Sequence, residues 1–379
     1  MNSLEMQSLA VLSGLTPLSD SREELIRFMS LKRDRDILIE RAQREGVASF
    51  LYKNLKACGL LESLSPSQRE RLETFYFQTL RLNLRLIRDL KQILVAVNQK
   101  GIRVVLLQGI ILLAQLYSDI GLRPLGDIDL WVLQEDYQLL IGVLESLGYE
   151  RHPLYPNTLR RGLTVLDLHT HLMGADRIRT RALLLSKDQG DIFKDTQVIS
   201  FDGSEARCLN KYDQVFYLSL HAFKHNLDRL LWLADIKALL AQWGESDWAA
   251  GWRRAEELGQ RKAFSSIVFL LARLFDYRLP IKAREFMGET RLNVLEKHLL
   301  RKRIRGNSLP QWAPLVLFSP EKGMRRRLMF TQETLFPRPD ILKQVFERPS
   351  GRTARHLYAL RVLQLVRMTR MCFKVTFLS

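Results

Sequence analysis

Apolar residues recur at helical spacing through the first hundred positions. In DRDILIERAQREGVASFLYKNLKACG this spacing predicts helix up to Gly59. Ser65-Pro66-Ser67-Gln68 then reads as a helix start. Ser65 can cap, Pro66 suits the first helical position, and Gln68 completes a capping box. RERLETFYFQTLRLNLRLIRDLKQILVAVNQK follows without a breaker to Gly101, which predicts one long helix. The period then shortens. IRVVLL (102–107) is a β-branched, apolar run between Gly101 and Gly109 and predicts a buried strand, with IILLAQLYS a helix after it. DIDLWVL (127–133), LTVLDLHTHL (163–172) and TQVISF (196–201) read as further strands, and EDYQLLIGVLESLG as a helix. Strands alternating with helices predict an α/β or α+β sheet domain.

From Asn210 the pattern is helical again, through KYDQVFYLSLHAFKHNLDRLLWLADIKALLAQW, SDWAAGWRRAEELG and KAFSSIVFLLARLF. Pro310, Pro314, Pro337, Pro339 and Pro349 predict short helices and loops in the last block. The expected organisation is an N-terminal helical region (1–100), an α/β core (101–209) and a C-terminal helical region (210–379). No internal repeat or low-complexity linker interrupts it.

Composition adds two points. Cys58, Cys208 and Cys372 are odd in number and widely spaced, which fits a reduced, cytoplasmic protein without a disulfide framework. No apolar run reaches the roughly 18–20 residues of a transmembrane span, and MNSLEMQSLAVLSGL has no basic leader ahead of its apolar stretch, so no secretory signal is expected. The net charge of +17 is uneven: residues 281–379 carry 21 Lys/Arg against 7 Asp/Glu. Such a basic region suits an anionic partner, whether nucleic acid, membrane surface or phosphorylated substrate, or else a solvated surface. RKRIR (301–305) and RRR (325–327) could guide a nucleic acid, but no base-stacking motif accompanies them. RTARHLYALRVLQLVRMTRMCFKVTFLS reads as a basic amphipathic helix, lying on an anionic membrane or docked on the protein's own core.

The candidate chemistry sits in the middle block. Asp127 and Asp129 share one face of a strand by the period of two. Two carboxylates on one face suit a hard divalent cation, magnesium best, although a lone D-x-D also fits an exposed strand end. Gly109 lies between strand and helix, where the missing side chain lets phosphate approach backbone N–H groups at a helix N-terminus. In LDLHTH, Asp167, His169 and His171 share a face in their turn. Three strand carboxylates, Asp127, Asp129 and Asp167, suffice for a two-metal site that clamps the oxygens of an in-line phosphoryl displacement.

VVLLQGIILLAQLYSDIGLRPLGDIDLWV, LDLHTHL, LSLHAFKHNLDRLLWLADIKALL and LFPRPDIL together resemble segments of the bacterial nucleotidyltransferase family known mostly as uncharacterised proteins. That resemblance implies an α+β, polymerase-β-like nucleotidyltransferase sheet domain flanked by helical regions. It implies NMP transfer from an NTP to an acceptor hydroxyl, with Mg2+ or Mn2+ as cofactor. Asp127 and Asp129 would bind metals and triphosphate. Asp167 would hold the catalytic metal and act as, or orient, the base. The nucleotide would meet Gln108, Gly109, Arg123, His169, Lys224 and His225, with Arg123 offsetting charge on the leaving pyrophosphate. Gln108 stands where the family usually has lysine, so one cation for the triphosphate is missing.

Several readings stay open. Arg123 is either that charge-offsetting group or a fixed loop residue paired with one of these aspartates. His169 either orients Asp167 or meets substrate, or is satisfied by a neighbour. His221, Lys224 and His225 lie on one helical face and either line the pocket or pack against Asp228 or Asp235. Residue 222 is alanine where H-E-x-x-H needs glutamate, which argues against a zinc protease. Two other functions compete: a non-catalytic nucleotide- or nucleic-acid-binding protein on the same fold, and a D-x-D glycosyltransferase, which would not need Asp167.

Overall fold

Ser65 Oγ accepts from the Gln68 amide and Gln68 Oε1 from the Ser65 amide, both at 3.3 Å. This capping box opens a 34-residue helix, Pro66–Gln99, with proline in its first turn. The computed structural model describes Leu9 and residues 35–275, 277–290, 292–321, 323–346 and 353–377. The helical reading of the first 34 positions, Leu9 apart, lies outside them.

Ahead of the long helix (α3) stand α1 (Arg35–Arg44) and α2 (Ala48–Ala57). The helical spacing read through to Gly59 is therefore divided, at Gly46 with φ +76°. Glu45 turns inward there and is buried. It pairs with Arg303 Nη2 at 2.5 Å and Arg41 Nη2 at 2.6 Å, and accepts from the Leu230 amide at 2.8 Å. One carboxylate thus ties α1 to the C-terminal region. The buried positions of α3 include polar groups with structural partners. Asn83 Nδ2 donates to the carbonyls of Ile120 and Arg123, and Tyr76 donates to Asp119. The helix therefore holds the 117–127 loop from behind.

The sheet contains β1 (Val105–Leu107), β2 (Ile128–Trp131), β3 (Glu150–Arg151), β4 (Thr158–Arg161), β5 (Thr164–His169), β6 (Gln197–Phe201) and β7 (Ser204–Cys208). Its order is β3-β4-β5-β2-β1-β7-β6, with β2–β5 and β1–β7 parallel and the other pairs antiparallel. The protein is α+β with a mixed seven-stranded sheet. β3, β4 and β7 were not expected. ER and TLRR lack an apolar alternation, and SEARC alternates only small residues, Ser204, Ala206 and Cys208, with Glu205 and Arg207, so pairing with neighbours makes them strands. α4 (Gln108–Leu116) follows β1 and α5 (Tyr137–Ser146) follows β2, as the pattern predicts. α6 (Gln189–Lys194) precedes β6.

The helical second half comprises α7 (Lys211–Lys224), α8 (Leu230–Leu240), α9 (Glu245–Glu257), α10 (Arg261–Leu274), α11 (Ile281–Glu289), α12 (Val294–Ile304), α13 (Pro314–Leu317), α14 (Met324–Leu335), α15 (Pro339–Val345) and α16 (Ala354–Phe377). Between α7 and α8 the chain breaks at Asn226 and Leu227, both left-handed at φ 57° and 54°. Arg303 Nε donates to the Leu227 carbonyl at 2.7 Å and braces this strained turn. Some of the basic C-terminal charge is thereby used internally. Arg327, Arg338 and Arg361 likewise donate to backbone carbonyls. α16 packs on α15, buries Leu357, and anchors to the end of α14 through Arg361. Among the described residues, no helix is long and apolar enough to cross a membrane.

Glu321 caps α10, accepting from the amides of Lys262 at 2.6 Å and Ala263 at 3.1 Å. Burial pushes its carboxyl up to about 7 in spite of these donors. From about pH 4.5 up to that value, the folded protein keeps a proton that the unfolded chain loses, so stability falls as pH rises through this window. Glu321→Gln retains the acceptor oxygen without the titration. Thermal unfolding at pH 5 and pH 8 should show a smaller decline for the variant, and a higher midpoint than wild type at pH 8.

Candidate active site

β1, β2 and β5 set the site by their register. Leu107 pairs with Asp129 across the antiparallel β1–β2 ladder, and Asp129 pairs with Asp167 across the parallel β2–β5 ladder. The chain leaves β1 through Gln108, held left-handed at φ 51°, and enters α4 at once. A non-glycine residue in this conformation is strained, and here the strain aims the side chain. Gln108 Nε2 donates to Asp129 Oδ1 at 2.7 Å and to the Tyr217 hydroxyl at 3.2 Å.

His169 Nε2 lies 3.0 Å from the same Asp129 oxygen and 3.7 Å from Asp167 Oδ2. Among the described residues, no hydrogen bond engages Asp129 Oδ2. Ligand atoms of Asp129, Asp167 and His169 all fall within 4.8 Å of one another, a spacing one cation could bridge. Burial opposes protonation of His169, but the hydrogen bond and charge of Asp129, with Asp167, hold its pKa above the ordinary value. Burial, and Asp129 secondarily, raises Asp167 in spite of His169. Asp127 sits just before β2 and outside this three-residue group. Its side chain reaches solvent at the cleft mouth, yet desolvation by the cleft walls and repulsion from Asp129 and Asp167 push it up to about 7.

The nine residues that the resemblance assigns to metal or nucleotide line one cleft of about 940 Å³: Gln108, Gly109, Arg123, Asp127, Asp129, Asp167, His169, Lys224 and His225. Lys224 has no hydrogen-bond or ion-pair partner among the described residues. Burial, then Arg181, lowers it to about 8, so it remains mostly protonated at neutral pH. His225 is pushed down to about 4 by burial and Lys224. The rings of His221 and His225 are tilted against each other and pack with Trp232, His221 edge-on, at 4.6 to 5.6 Å between centroids. Asp235, offered as their partner, is occupied elsewhere. Arg123 grips it with Nε at 3.1 Å and Nη2 at 2.8 Å, and Tyr117 donates to it at 2.5 Å. Arg123 is thus a buried, paired residue that fixes its loop. His171 falls beyond the end of β5 and does not line the cleft.

Gly109 answers to its surroundings. A Cβ there would collide with Arg123 Nη1 and come within 2.5 Å of Leu125 Cδ2. Gly109→Ala must push aside the Arg123 guanidinium, which Asp235 holds, and the Leu125 side chain, an overpacking cost of about 1–3 kcal/mol. Urea unfolding should show that loss.

With the cleft in place, residues 32–276 match the family described as uncharacterised nucleotidyltransferase. The chain belongs to that family. The match runs from α1 to the end of α10, so all nine residues above fall inside this nucleotidyltransferase segment. The LFPRPDIL segment and the basic region from about 281 lie outside it. No curated protein and no solved structure gives a significant match.

Sequence reasoning missed other residues in the nucleotidyltransferase cleft. Trp232 sits in an apolar helical run that reads as core, as does Tyr217, which is buried behind the cleft wall and accepts from Gln108. Arg41 and Arg44 enter from α1, Arg177 from the segment after β5, and Ser308, Leu309 and Gln311 from the C-terminal region. Only long-range folding brings them there.

Proposed function

We propose that this protein is a metal-dependent nucleotidyltransferase on a polymerase-β-like core, moving a nucleoside monophosphate from an NTP to an acceptor hydroxyl with release of pyrophosphate. The convergence of Asp129, Asp167 and His169 in a basic-walled cleft carries this reading. Two carboxylates with an unengaged oxygen on Asp129 fit a hard divalent cation. Mg2+ suits the oxygens, and Mn2+ also accepts an imidazole. Asp129 and Asp167 would hold it, with Asp127 at the mouth. Bound there, the cation would polarise the α-phosphate and offset triphosphate charge.

The chain's own residues supply the remainder. Gln108 fixes the orientation of Asp129. Lys224 and Arg177 provide positive charge in the absence of a lysine at 108. The N-terminus of α4 borders the cleft at Gly109 and would favour an anion there, and the His225 and Trp232 rings offer surfaces to a base. α1 and the C-terminal region wall the cleft from either side.

Calorimetric titration of ATP, CTP, GTP and UTP tests the reading, with Mg2+ or Mn2+, into wild type and Asp129→Asn/Asp167→Asn. Metal-dependent binding of at least one NTP, lost in the double variant, is expected. Failure of folded wild type to bind any NTP with either metal overturns it in favour of a binding protein for other ligands.

A further inference from the structure

We infer that α16 binds the surface of an anionic membrane, lying along it rather than crossing it. This stands independently of the nucleotidyltransferase reading. Across its described side chains, Ala354 to Met368, the 24-residue helix buries only Leu357. Leu357, Arg361 and Gln364 follow one another at i, i+4 and i+7 and share a face. Arg361 donates to the carbonyls of Leu335 at 2.8 Å and Thr334 at 3.2 Å, and to Gln364 Oε1 at 2.7 Å, so this face meets the end of α14.

At about 100° per residue, the opposite face carries Arg355, Ala359, Val362, Leu363 and Val366, all of them exposed. Val362, Leu363 and Val366 are 46%, 56% and 44% exposed. A helix docked along its length on its own core turns its apolar stripe inward. In α16 the arrangement is reversed. Beyond Leu357 polar groups make the inner contacts, and an aliphatic strip faces out.

Charge decides what covers that strip. α16 carries Arg355, Arg361, Arg367, Arg370 and Lys374 and no Asp or Glu. Arg355 and Arg367 are exposed at the two ends of the strip. α14 repeats the combination: Met324 and Leu328, 85% and 66% exposed, stand beside exposed Arg325 and Arg326. A second copy of the chain would set these cations against one another. A nucleic-acid backbone would meet the arginines and leave the valines and leucine in water. An anionic bilayer satisfies both, since its headgroups neutralise the arginines while the aliphatic side chains enter the acyl boundary. The helix lies on the bilayer and does not cross it. Arg355, Arg361 and Arg367 interrupt any continuous apolar span, and no helix among the described residues is apolar enough to cross. The attachment belongs to the C-terminal region beyond the family match.

Co-sedimentation with vesicles of phosphatidylcholine containing about 30% phosphatidylglycerol, against phosphatidylcholine alone, tests the inference. Wild type should partition to the anionic vesicles at least tenfold more strongly. Raising NaCl from about 0.1 M to about 1 M, which shortens the screening length from about 10 Å to about 3 Å, should release most of it. Val362→Ser/Leu363→Ser/Val366→Ser keeps every charge, and Arg355→Gln/Arg367→Gln keeps the aliphatic strip. Each should weaken vesicle binding at least tenfold and leave the thermal midpoint and NTP titration as in wild type. No binding of wild type, equal partition to the two vesicles, or wild-type affinity in either variant overturns the inference. So does a dimer at sedimentation equilibrium that the serine variant dissociates, which gives the strip to a second copy. Binding of a short single-stranded RNA that only the arginine variant loses, without vesicle binding, also overturns it and gives the charge to nucleic acid.

Discussion

Asp129→Asn should reduce metal-dependent NTP affinity by at least about 100-fold, exceeding the ~10–100-fold typical of losing a metal ligand's hydrogen-bonding partner. Gln108→Ala should fall inside that smaller range. Asp129 is buried and fixed, with Gln108 and His169 on one oxygen and the other unengaged. Asparagine keeps the volume and one acceptor but loses the charge, and one of its faces presents N–H groups that repel a cation. Asp127→Asn should cost less than Asp129→Asn, because Asp127 stands at the solvent-facing mouth outside the three-residue group. Calorimetry with Mg2+ and Mn2+ reads all three variants on one scale. An Asp127→Asn effect larger than that of Asp129→Asn would move the metal centre toward the mouth.

Arg123→Met should destabilise the fold by about 3–5 kcal/mol, the usual cost of removing one partner from a buried ion pair. The Asp235 side chain is fully buried, and its charge would remain with only the Tyr117 hydroxyl to meet it. Burial and Asp235 hold the Tyr117 hydroxyl neutral, well above the ordinary tyrosine value, so it cannot replace a guanidinium. Arg123→Met/Asp235→Leu should recover much of the loss, because an apolar pair leaves no orphaned charge. Urea unfolding of both variants measures this. A cost below about 1 kcal/mol, the range of exposed ion pairs, would mean that water reaches the pair. Since Arg123 also packs on Gly109, the single variant should weaken NTP binding alongside stability.

The fold was legible where one period dominated a long segment. Ser65 to Gln99 carries its own start signal and an unbroken helical spacing, and local capping suffices to specify it. The apolar runs at β1, β2 and β5 could be read because buried strands need β-branched and apolar residues. β3, β4 and β7 could not, because short polar runs, and the small inward residues of β7, become strands only by pairing with their neighbours. The breaks at Gly46 and at Asn226-Leu227 were also hidden. Both are stabilised by Glu45 and Arg303, which meet across 258 positions of chain.

What the sequence by itself determined is a set of chemical groups and their local faces: carboxylates at 127, 129 and 167, a glycine at a strand-to-helix turn, and a basic last quarter. Periodicity is a property of neighbours, so these features survive without knowledge of the rest of the chain. The tertiary structure alone decided which groups act together. Register placed Asp129 opposite Asp167 and beside Gln108, set Asp127 apart, gave Arg123 to Asp235, and brought α15 to the far side of Asp167. Each depends on pairing and desolvation between segments far apart in sequence, where burial fixes which charges must be matched and which remain to meet a ligand.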